Sequence, residues 1–475
     1  MKPRGELAIV LHTHMPYVEG GGTWPPADEA AFLRRPDGFG TWPFGEEWLW
    51  EAIATAYLPL LDVLGRAPVT LSLTPVLCDQ LEAPGAMERC LRFLTEVRPE
   101  SHLLDVERFR GRSEEVFAAE LERSAAEYAA AAERLGALSG GLLEALGRHA
   151  SWTSAATHAL LPMLASDTGV ALQVQTGIAS HRRRFGGWGG GFWLPECGYA
   201  PWLGEALEEA GVRSSCVELT NLFGLGDERH LRPLVTEAGP VLWPIDRKLM
   251  SLVWSEDGYP GAPQYRDYHG LTHHHHRVWR NDGQPYDHPA AQALVAGHAA
   301  DFVSRVGERV RDGGVCVCAF DTELLGHWWY EGVAWLGAVL DEAARRGLTL
   351  TTLDDALERH EPITAPPGLG VTTWGDGGDL RTWSAPPVAK IAWSARTAEL
   401  RALALGRRPG DRALRELLAL QSSDWAFLVT NDLAGEYPSE RARAHEQAFN
   451  EALAGSSVPE PEVRNLAPEL VGWIG

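Results

Sequence analysis

Two runs of unbroken apolar residues constrain the fold more than any other feature of this sequence. Residues 7–11 lie near the amino terminus, and residues 314–320 lie far along the chain. Neither run alternates polar with apolar positions, so both faces of each predicted strand are buried, as in a parallel sheet covered by helices. Further strands are predicted at residues 69–73, 191–195, 214–219, 241–246 and 348–353. Because helical patterns separate these strands, we predict a parallel sheet or barrel.

Helical patterns also form two regions of their own. The sequence from about residue 84 to residue 150 predicts a helical insertion, including a long helix with Ser113 as its N-cap. A segment rich in Pro and Gly, 362–370, ends the strand–helix pattern. We therefore predict a catalytic domain over 1–361 and a helical C-terminal domain over 371–475. The remaining helices are predicted at 151–165, 202–210, 289–311, 330–346, 388–404, 411–420 and 439–453.

Charge and cysteine content narrow the class of protein. The formal net charge is −22, which argues against a nucleic-acid partner, since phosphate backbones call for basic patches. The six cysteines lack the spacing of a zinc site and predict reduced thiols in a cytoplasmic protein. Cys316 and Cys318 are two apart on one strand and should face the same side. No apolar run has the length of a membrane span, so we expect no membrane partner. We expect the protein to be a monomer or a small homo-oligomer.

Three ionisable residues directly follow predicted strands: His12, Glu196 and Asp321. In α/β barrels the catalytic groups occupy the carboxyl ends of the strands. Glu196 lies among Trp, Pro and Gly, where poor solvation raises the pKa of a carboxyl group or demands a partner. Two carboxylates on different strands suit glycosidic-bond chemistry, in which one attacks the anomeric carbon and the other handles the proton.

Tryptophan is abundant, with 19 residues, and many stand in Gly- and Pro-rich loops. Exposed indole rings in such loops can stack on the apolar faces of sugars, although core packing explains part of the number. The sequence therefore favours a sugar as ligand.

Several other polar residues have competing interpretations. Glu323 either resembles a catalytic acid without being one or assists Asp321. Asp246 is most simply explained by an ion pair with its neighbour Arg247. His12 and His14 have a spacing that can bind metal, with His158 or His327 to complete a site. We favour neutral histidines that bind sugar hydroxyls, because no Asp or Cys completes a convincing ligand set. The run of histidines at 273–276 is interpreted as a solvated loop.

Five segments resemble, in their order along the chain, the signature regions of glycoside hydrolase family 57. They are residues 12–16, 156–162, 193–199, 320–329 and 423–428. Residues 40–47 are similar to the corresponding segment of the 1,4-α-glucan branching enzymes of that family. The resemblance extends from residue 6 to about residue 450, and the order of the five regions is more specific than any one of them.

The resemblance implies a (β/α)7 distorted TIM-like barrel with a helical insertion and an α-helical C-terminal domain. It implies a retaining mechanism without metal or cofactor, with Glu196 as nucleophile and Asp321 as general acid/base. His12, His14 and His158 would line the donor subsite. The substrate-binding residues that it implies are His12, His14, Trp42, His158, Tyr259, Trp279, His327, Trp328, Trp374, Trp383, Asp424 and Trp425.

The segment from residue 255 to residue 269 resembles a mobile loop over the cleft, with Tyr259 at its tip and Tyr265 as the second choice. A closed loop that excludes water would favour transfer to a sugar hydroxyl. We therefore expect an enzyme that acts on an α-glucan and transfers chains to a 6-hydroxyl, with glycogen or a methylated glucan as the polysaccharide. A 4-α-glucanotransferase, an α-amylase, a metal-dependent polysaccharide deacetylase and a glucan-binding protein without activity remain as alternatives.

Overall fold

The structure is a computed structural model that describes residues 5–18, 45–139, 141–255, 257–455 and 465–473. Ten strands occur in these residues. They are β1 Glu6–Thr13, β2 Thr70–Leu73, β3 Ala150–Ser154, β4 Phe192–Trp193, β5 Ser214–Val217, β6 Leu234–Val235, β7 Val241–Pro244, β8 Val315–Asp321, β9 Thr349–Thr351 and β10 Ile363–Thr364.

Seven of these strands run parallel and follow one another round a barrel. The order β4-β3-β2-β1-β8 is one continuous parallel sheet. A bridge between Gly191 and Ser214 joins β4 to β5, and β5 pairs in parallel with β7. The backbone N–H of Asp246 then donates to the carbonyl of Val317 at 2.8 Å, which links the end of β7 to β8. The expected (β/α)7 barrel is thereby confirmed.

Strand β1 is the centre of this barrel because every one of its eight residues is buried. Its residues from Glu6 to His12 pair with β8, while β9 pairs with its first half and β2 with its second half. Full burial of both strand faces explains the unbroken apolar sequence. The pairing places the carboxyl ends of β1 and β8 side by side, with His12 opposite Asp321.

Helices surround the barrel and fill the insertion. The α-helices before β4 are Glu46–Ala52, Leu58–Leu60, Pro75–Leu81, Ala86–Arg92, Arg98–Arg110, Glu115–Ala137, Leu142–Gly147 and Asp167–Phe185. Those between β4 and β10 are Gly204–Glu209, Thr220–Phe223, Arg247–Trp254, His288–Arg309, Gly332–Arg346 and Leu353–Leu357. Two π-helical turns, Ile53–Tyr57 and Phe93–Val97, interrupt the early helices. No helix among the described residues is both long and apolar enough to cross a membrane.

The C-terminal region is helical and packs directly on the barrel. Its α-helices are Arg381–Ser384, Ala389–Leu403, Asp411–Leu420, Asp424–Thr430 and Tyr437–Leu453. Leu414, Leu417 and Phe449 belong to a buried cluster that also contains Tyr17 and Leu172 of the barrel. Burial of such side chains contributes about 1.5–3 kcal/mol each, so this shared core fixes the C-terminal helices over the carboxyl end of the barrel.

Two predictions of secondary structure are wrong. The segment 151–165 is not a helix, because its first residues form β3 and only Leu161–Met163 makes a helical turn. The ladder with β2 and β4 on either side supplies hydrogen bonds that a local helix would forgo. Ser113 is not an N-cap, because its φ is 61° and its N–H donates to Arg110 in a tight turn. The following helix begins at Glu115 without a side-chain cap.

Candidate active site

Glu196 stands in a strained turn directly after β4. Its φ of 60° and ψ of 22° lie in the left-handed region, which non-glycine residues adopt at some cost. The carboxylate is buried, and it accepts hydrogen bonds from Trp374 Nε1 and from Ser423 Oγ, both at 2.8 Å. Burial raises the pKa of Glu196 to about 7, although the two hydrogen bonds oppose that shift. The turn therefore holds a carboxylate between two donors that stabilise its ionised form.

Asp321 ends β8 in a more negative setting. Burial, together with the nearby carboxyl groups of Glu323, Glu196 and Asp424, holds the pKa of Asp321 well above its ordinary value. Among the residues that the structure describes, no donor makes a hydrogen bond to the Asp321 carboxylate. Desolvation and the like charges both act in the same direction, and they favour the protonated form of Asp321.

A chain of hydrogen bonds connects the histidines of β1 and the β3 loop to Glu196. His12 Nε2 lies 2.9 Å from His158 Nε2, and His158 Nδ1 lies 2.9 Å from Ser423 Oγ. Ser423 has a single proton, which it donates to ionised Glu196, so Ser423 must accept a hydrogen bond from His158 Nδ1. His158 Nε2 then carries no proton and must accept a hydrogen bond from His12 Nε2. His12 Nδ1 then carries a buried lone pair that has no hydrogen-bond partner among the described residues.

Charge separates the histidines into two kinds. Burial and the neighbouring histidines hold the pKa values of His12 and His158 well below the ordinary range, so both are neutral. Burial also opposes protonation of His14, but Asp424 Oδ1, at 2.8 Å from His14 Nε2, raises the pKa of this histidine. The ring centroids of His14 and His158 are only 3.9 Å apart. Beside Glu196, an imidazole whose pKa is raised therefore stacks on one whose pKa is lowered.

The structure adds polar residues that sequence analysis did not assign to the site. Ser423 contacts both Glu196 and His158, and it is the first residue of the segment 423–428, of which only Asp424 and Trp425 were assigned to the site. Glu323 accepts hydrogen bonds from Tyr57 at 2.5 Å and from the backbone of His14 at 3.2 Å, and burial raises its pKa to about 7. Nothing in the sequence around Tyr57 indicated this contact.

The aromatic residues of the expected substrate set divide by position. Trp374 contacts Glu196 directly, and Trp193 stacks on His12 with centroids 4.6 Å apart. Trp383 is buried beneath Gly375, where a Cβ atom would stand 2.7 Å from the indole ring, so it supports the loop that carries Trp374. Trp425 is fully buried, and its Nε1 donates to the carbonyl of Ala419 at 2.7 Å.

Other members of that set pack around the insertion and Tyr268, or lie outside the described residues. Trp279 packs against Phe109 and Phe117 of the insertion. His327 and Trp328 pack against Tyr268, and together they line a cavity of about 350 Å³. Trp42 lies outside the described residues.

The role of Tyr259 in a mobile loop over the cleft stays a prediction, and in this structure Tyr259 has a packed position. Its side chain is buried, its hydroxyl donates to Asp301 at 2.7 Å, and its ring stacks on His298 with centroids 4.5 Å apart. Tyr265 is also buried and lies 3.0 Å from His298 through its hydroxyl. Both rings pack on the helix His288–Arg309, whose contacts a loop sequence cannot reveal.

Two further interpretations of polar residues are corrected. Asp246 pairs with Arg309 at 2.6 Å and caps the next helix through Leu249, whereas Arg247 donates to the carbonyl of Trp374. The histidine run 273–276 is not a solvated loop. His274 and His276 are buried against the helix Arg98–Arg110 of the insertion, where His274 Nδ1 lies 2.8 Å from Asp105.

Three ligand atoms in the site could hold a metal ion. One from each of His14, His158 and Asp424 lie within 4.8 Å of one another. The pairing of His14 with Asp424 and of His158 with Ser423 accounts for these groups without an ion.

Cys316 and Cys318 face the same side of β8, as predicted, and their sulfur atoms are 3.9 Å apart.

Comparison with known proteins places this geometry in a family. The family model described as glycosyl hydrolase family 57 matches residues 147–366, and that described as 1,4-alpha-glucan branching enzyme, C-terminal, matches residues 390–465. The chain is 32% identical to the 1,4-alpha-glucan branching enzyme TK1436 of Thermococcus kodakarensis, over 99% of this chain and 74% of the relative.

Solved structures agree with the sequence comparison. A GH57-type branching enzyme from Pyrococcus horikoshii superposes with a TM-score of 0.82 at 30% identity, covering 100% of this chain and 99% of that one. The α-amylase AmyC from Thermotoga maritima gives a TM-score of 0.76 at 25% identity, covering 97% and 96%. The identity and the near-complete coverage extend over the barrel, both acids and the C-terminal helices, and the chain therefore belongs to glycosyl hydrolase family 57.

Proposed function

We propose that this protein is a 1,4-α-glucan branching enzyme that acts by double displacement at Glu196 and Asp321. The observation that carries the proposal is the difference between the two acids. Glu196 receives two hydrogen bonds that stabilise a carboxylate, whereas Asp321 receives none from the described residues and lies near three other carboxyl groups. When two environments separate the pKa values of a pair of carboxyl groups in this way, the group that is more readily ionised acts as the nucleophile and the other acts as the proton donor.

The reaction proceeds in two steps. Asp321 donates its proton to the oxygen of an α-1,4 bond while the Glu196 carboxylate attacks the anomeric carbon, so that a glycosyl ester forms and the chain beyond the bond leaves. Asp321 then accepts the proton of an acceptor 6-hydroxyl as that oxygen attacks the anomeric carbon and Glu196 is released. The product carries an α-1,6 branch.

The histidines around Glu196 suit binding of the donor sugar. The imidazole nitrogens of His12, His14 and His158 bond one another and nearby side chains in this structure, and we expect some of these hydrogen bonds to be exchanged for bonds to sugar hydroxyl groups when the donor binds. Trp193 and Trp374 close one side of the site with apolar ring faces. This combination of a few directed polar groups with aromatic walls is typical of sugar sites.

Amylose incubated with two variants tests the assignment. Glu196→Gln and Asp321→Asn should each lower the rate of α-1,6 bond formation by roughly 10²–10⁴-fold or more, as loss of a nucleophile or acid catalyst requires. Glu144→Gln and Asp341→Asn are matched controls, because their side chains are 75% and 67% exposed. Branching measured by proton NMR at near wild-type rates in either active-site variant would end the proposal.

Mass spectrometry can assign the roles separately. In the Asp321→Asn variant, an activated glycosyl donor should leave a covalent sugar on the peptide that contains Glu196, because the ester forms but its breakdown lacks a base. A sugar attached to any other acid would contradict the role of Glu196.

A 4-α-glucanotransferase or α-amylase is the second candidate, and the 25% identity to the α-amylase AmyC is the observation that favours it. These activities use the same two acids and differ in the acceptor. New α-1,4 bonds or reducing ends, without α-1,6 signals, would establish them in place of branching.

The cellular setting belongs to the same proposal. The six cysteines are free and buried, which suits a reducing compartment, and we place the enzyme in the cytoplasm, in the synthesis of a glycogen-like glucan. A monomer or small homo-oligomer is expected.

A further inference from the structure

Two turns meet beside Glu196, and their relative position determines the contacts of this acid. The first turn follows β3 and carries His158, and the second carries Ser423. The backbone N–H of Ser423 donates to the carbonyl of His158 at 3.1 Å, and a bridge joins Ala159 to Ser422. The Ser423 hydroxyl then contacts both His158 and Glu196. Any shift of one turn against the other therefore changes the hydrogen bond that reaches Glu196.

The first of these turns has a strained backbone. The φ of His158 is 59°, in the left-handed region that non-glycine residues adopt at some cost. Such a conformation persists only where the surrounding structure holds it. The backbone N–H of Ala156 donates to the carbonyl of Gln173 at 2.9 Å, and that of Thr157 donates to Gln173 Oε1 at 3.1 Å. Gln173, on the helix Asp167–Phe185, thus holds the two residues that precede His158.

The Gln173 side chain also reaches the second turn. Its Nε2 donates to Thr157 Oγ1 at 3.0 Å and to Gln421 Oε1 at 2.9 Å. Because a backbone N–H can only donate, the amide atom that faces the Thr157 nitrogen is the oxygen, which fixes the orientation of the amide. Gln421 in turn donates to Glu399 at 3.0 Å. One amide therefore links the two turns directly.

Packing alone does not explain a glutamine at this position. The side chain of Gln173 is fully buried, and its neighbours Leu172 and Val174 belong to two hydrophobic clusters. A hydrocarbon side chain would suit such surroundings, whereas a buried amide is favourable only when its polar atoms have partners. Both N–H groups and the carbonyl oxygen of this amide have partners in the two turns. The amide therefore serves those turns.

We infer that Gln173 is a positioning residue for the reaction at Glu196, because it holds the turn of His158 against the turn of Ser423. The inference rests on the proposed function and deepens it, since it assigns a role in catalysis to a fully buried residue that does not touch the nucleophile. Without this link the turns shift, and the hydrogen bond from Ser423 to Glu196 weakens. The ionised nucleophile then loses stabilisation.

The pH dependence of the rate tests the inference. Gln173→Met keeps the length of the side chain and removes its hydrogen bonds. The acidic limb of the pH–rate profile for α-1,6 bond formation on amylose should move to higher pH by about 0.5–1, because part of the stabilisation of ionised Glu196 is lost. At pH 7, kcat/KM should fall by about 2- to 5-fold.

A double-mutant cycle with Ser423→Ala separates positioning from a general loss of stability. If Gln173 acts through Ser423, then Gln173→Met should not move the acidic limb of the Ser423→Ala enzyme, since the supported contact is already absent. Gln421→Met breaks the same link from the other turn and should move the limb of the parent enzyme in the same direction. Gln284→Met, at an exposed glutamine, is the matched control and should change neither the limb nor the melting temperature.

A merely structural role for Gln173 has a different signature. Gln173→Met would then lower the melting temperature and leave the acidic limb in place, which would overturn the inference. Equal shifts of the limb with and without the Ser423 hydroxyl would also overturn it. If Gln173→Met does not fold, Gln421→Met decides by the same shift. If the parent enzyme releases reducing ends and forms no α-1,6 bonds, branching is refuted, and the limb measured on reducing ends still decides the role of Gln173.

Discussion

Substitution of Ser423 by alanine isolates one contact of the proposed nucleophile. The Ser423 hydroxyl donates to Glu196 Oε1 at 2.8 Å and lies 2.9 Å from His158 Nδ1. Ser423→Ala removes that donor and leaves the side-chain volume almost unchanged. The ionised form of Glu196 loses stabilisation, and its protonated form does not.

The size of the effect follows from the contact. A hydrogen bond to a charged group contributes about 1.5–3 kcal/mol, and one pKa unit corresponds to about 1.36 kcal/mol. The pKa of Glu196, about 7 in the intact site, should therefore rise by about 1–2 units. Because the nucleophile must be ionised, the acidic limb of the pH–rate profile moves upward, and kcat/KM at pH 7 falls by about 5- to 50-fold.

The assay is the initial rate of α-1,6 bond formation on amylose at a series of pH values from about 5 to 9.5. Ser423→Thr should retain the hydroxyl and the position of the acidic limb, and Ser384→Ala, at an exposed serine, should change neither rate nor profile. An acidic limb that stays in place while the plateau rate falls would show that Ser423 does not act through Glu196 and would refute the reasoning.

Two further predictions concern the insertion and metal binding. Burial lowers the pKa of His102 to about 3 and holds the pKa of His276 well below its ordinary value. The contribution of these two neutral histidines to the free energy of unfolding is therefore complete above about pH 6.5. As the pH falls from there towards their pKa values in the folded protein, each histidine lowers the free energy of unfolding by about 1.36 kcal/mol per pH unit. Thermal melts at pH 7 and pH 5 should show a smaller loss of stability in His276→Gln than in the parent protein, and equal losses would contradict this account. A chelator should leave branching within about twofold of the untreated rate, since the two-carboxylate mechanism needs no ion; activity lost to chelation and restored by zinc would point to a metal at His14, His158 and Asp424.

The parts of the fold that the sequence predicted well carry strong local signals. Strands β1 and β8 are unbroken apolar runs, and only burial on both faces accounts for such runs. The helix Asp411–Leu420 has the bounds that its amphipathic pattern predicted. Strand β3 was mistaken for a helix because its five residues are too few for a period and an Ala-rich segment follows it. The neighbouring strands, and not the local sequence, determine its conformation.

The same distinction holds for polar residues. The positions of His12, Glu196 and Asp321 at strand ends could be predicted, because parallel strands bring their carboxyl ends to one face of a barrel. The histidine run 273–276 was misjudged because its burial depends on the insertion helix Arg98–Arg110, which packs from a distant part of the sequence.

The sequence by itself determined which residue types stand at the ends of the strands and, through the order of five segments, the family of the chain. Tertiary structure alone decided what surrounds them. Ser423 and Trp374 reach Glu196 from the C-terminal region, and burial together with Glu196 and Asp424 from distant parts of the chain helps to raise the pKa of Asp321. Desolvation and charge interactions act over a few ångströms of space, so the protonation states that separate nucleophile from acid are set only when the barrel and its helices have assembled.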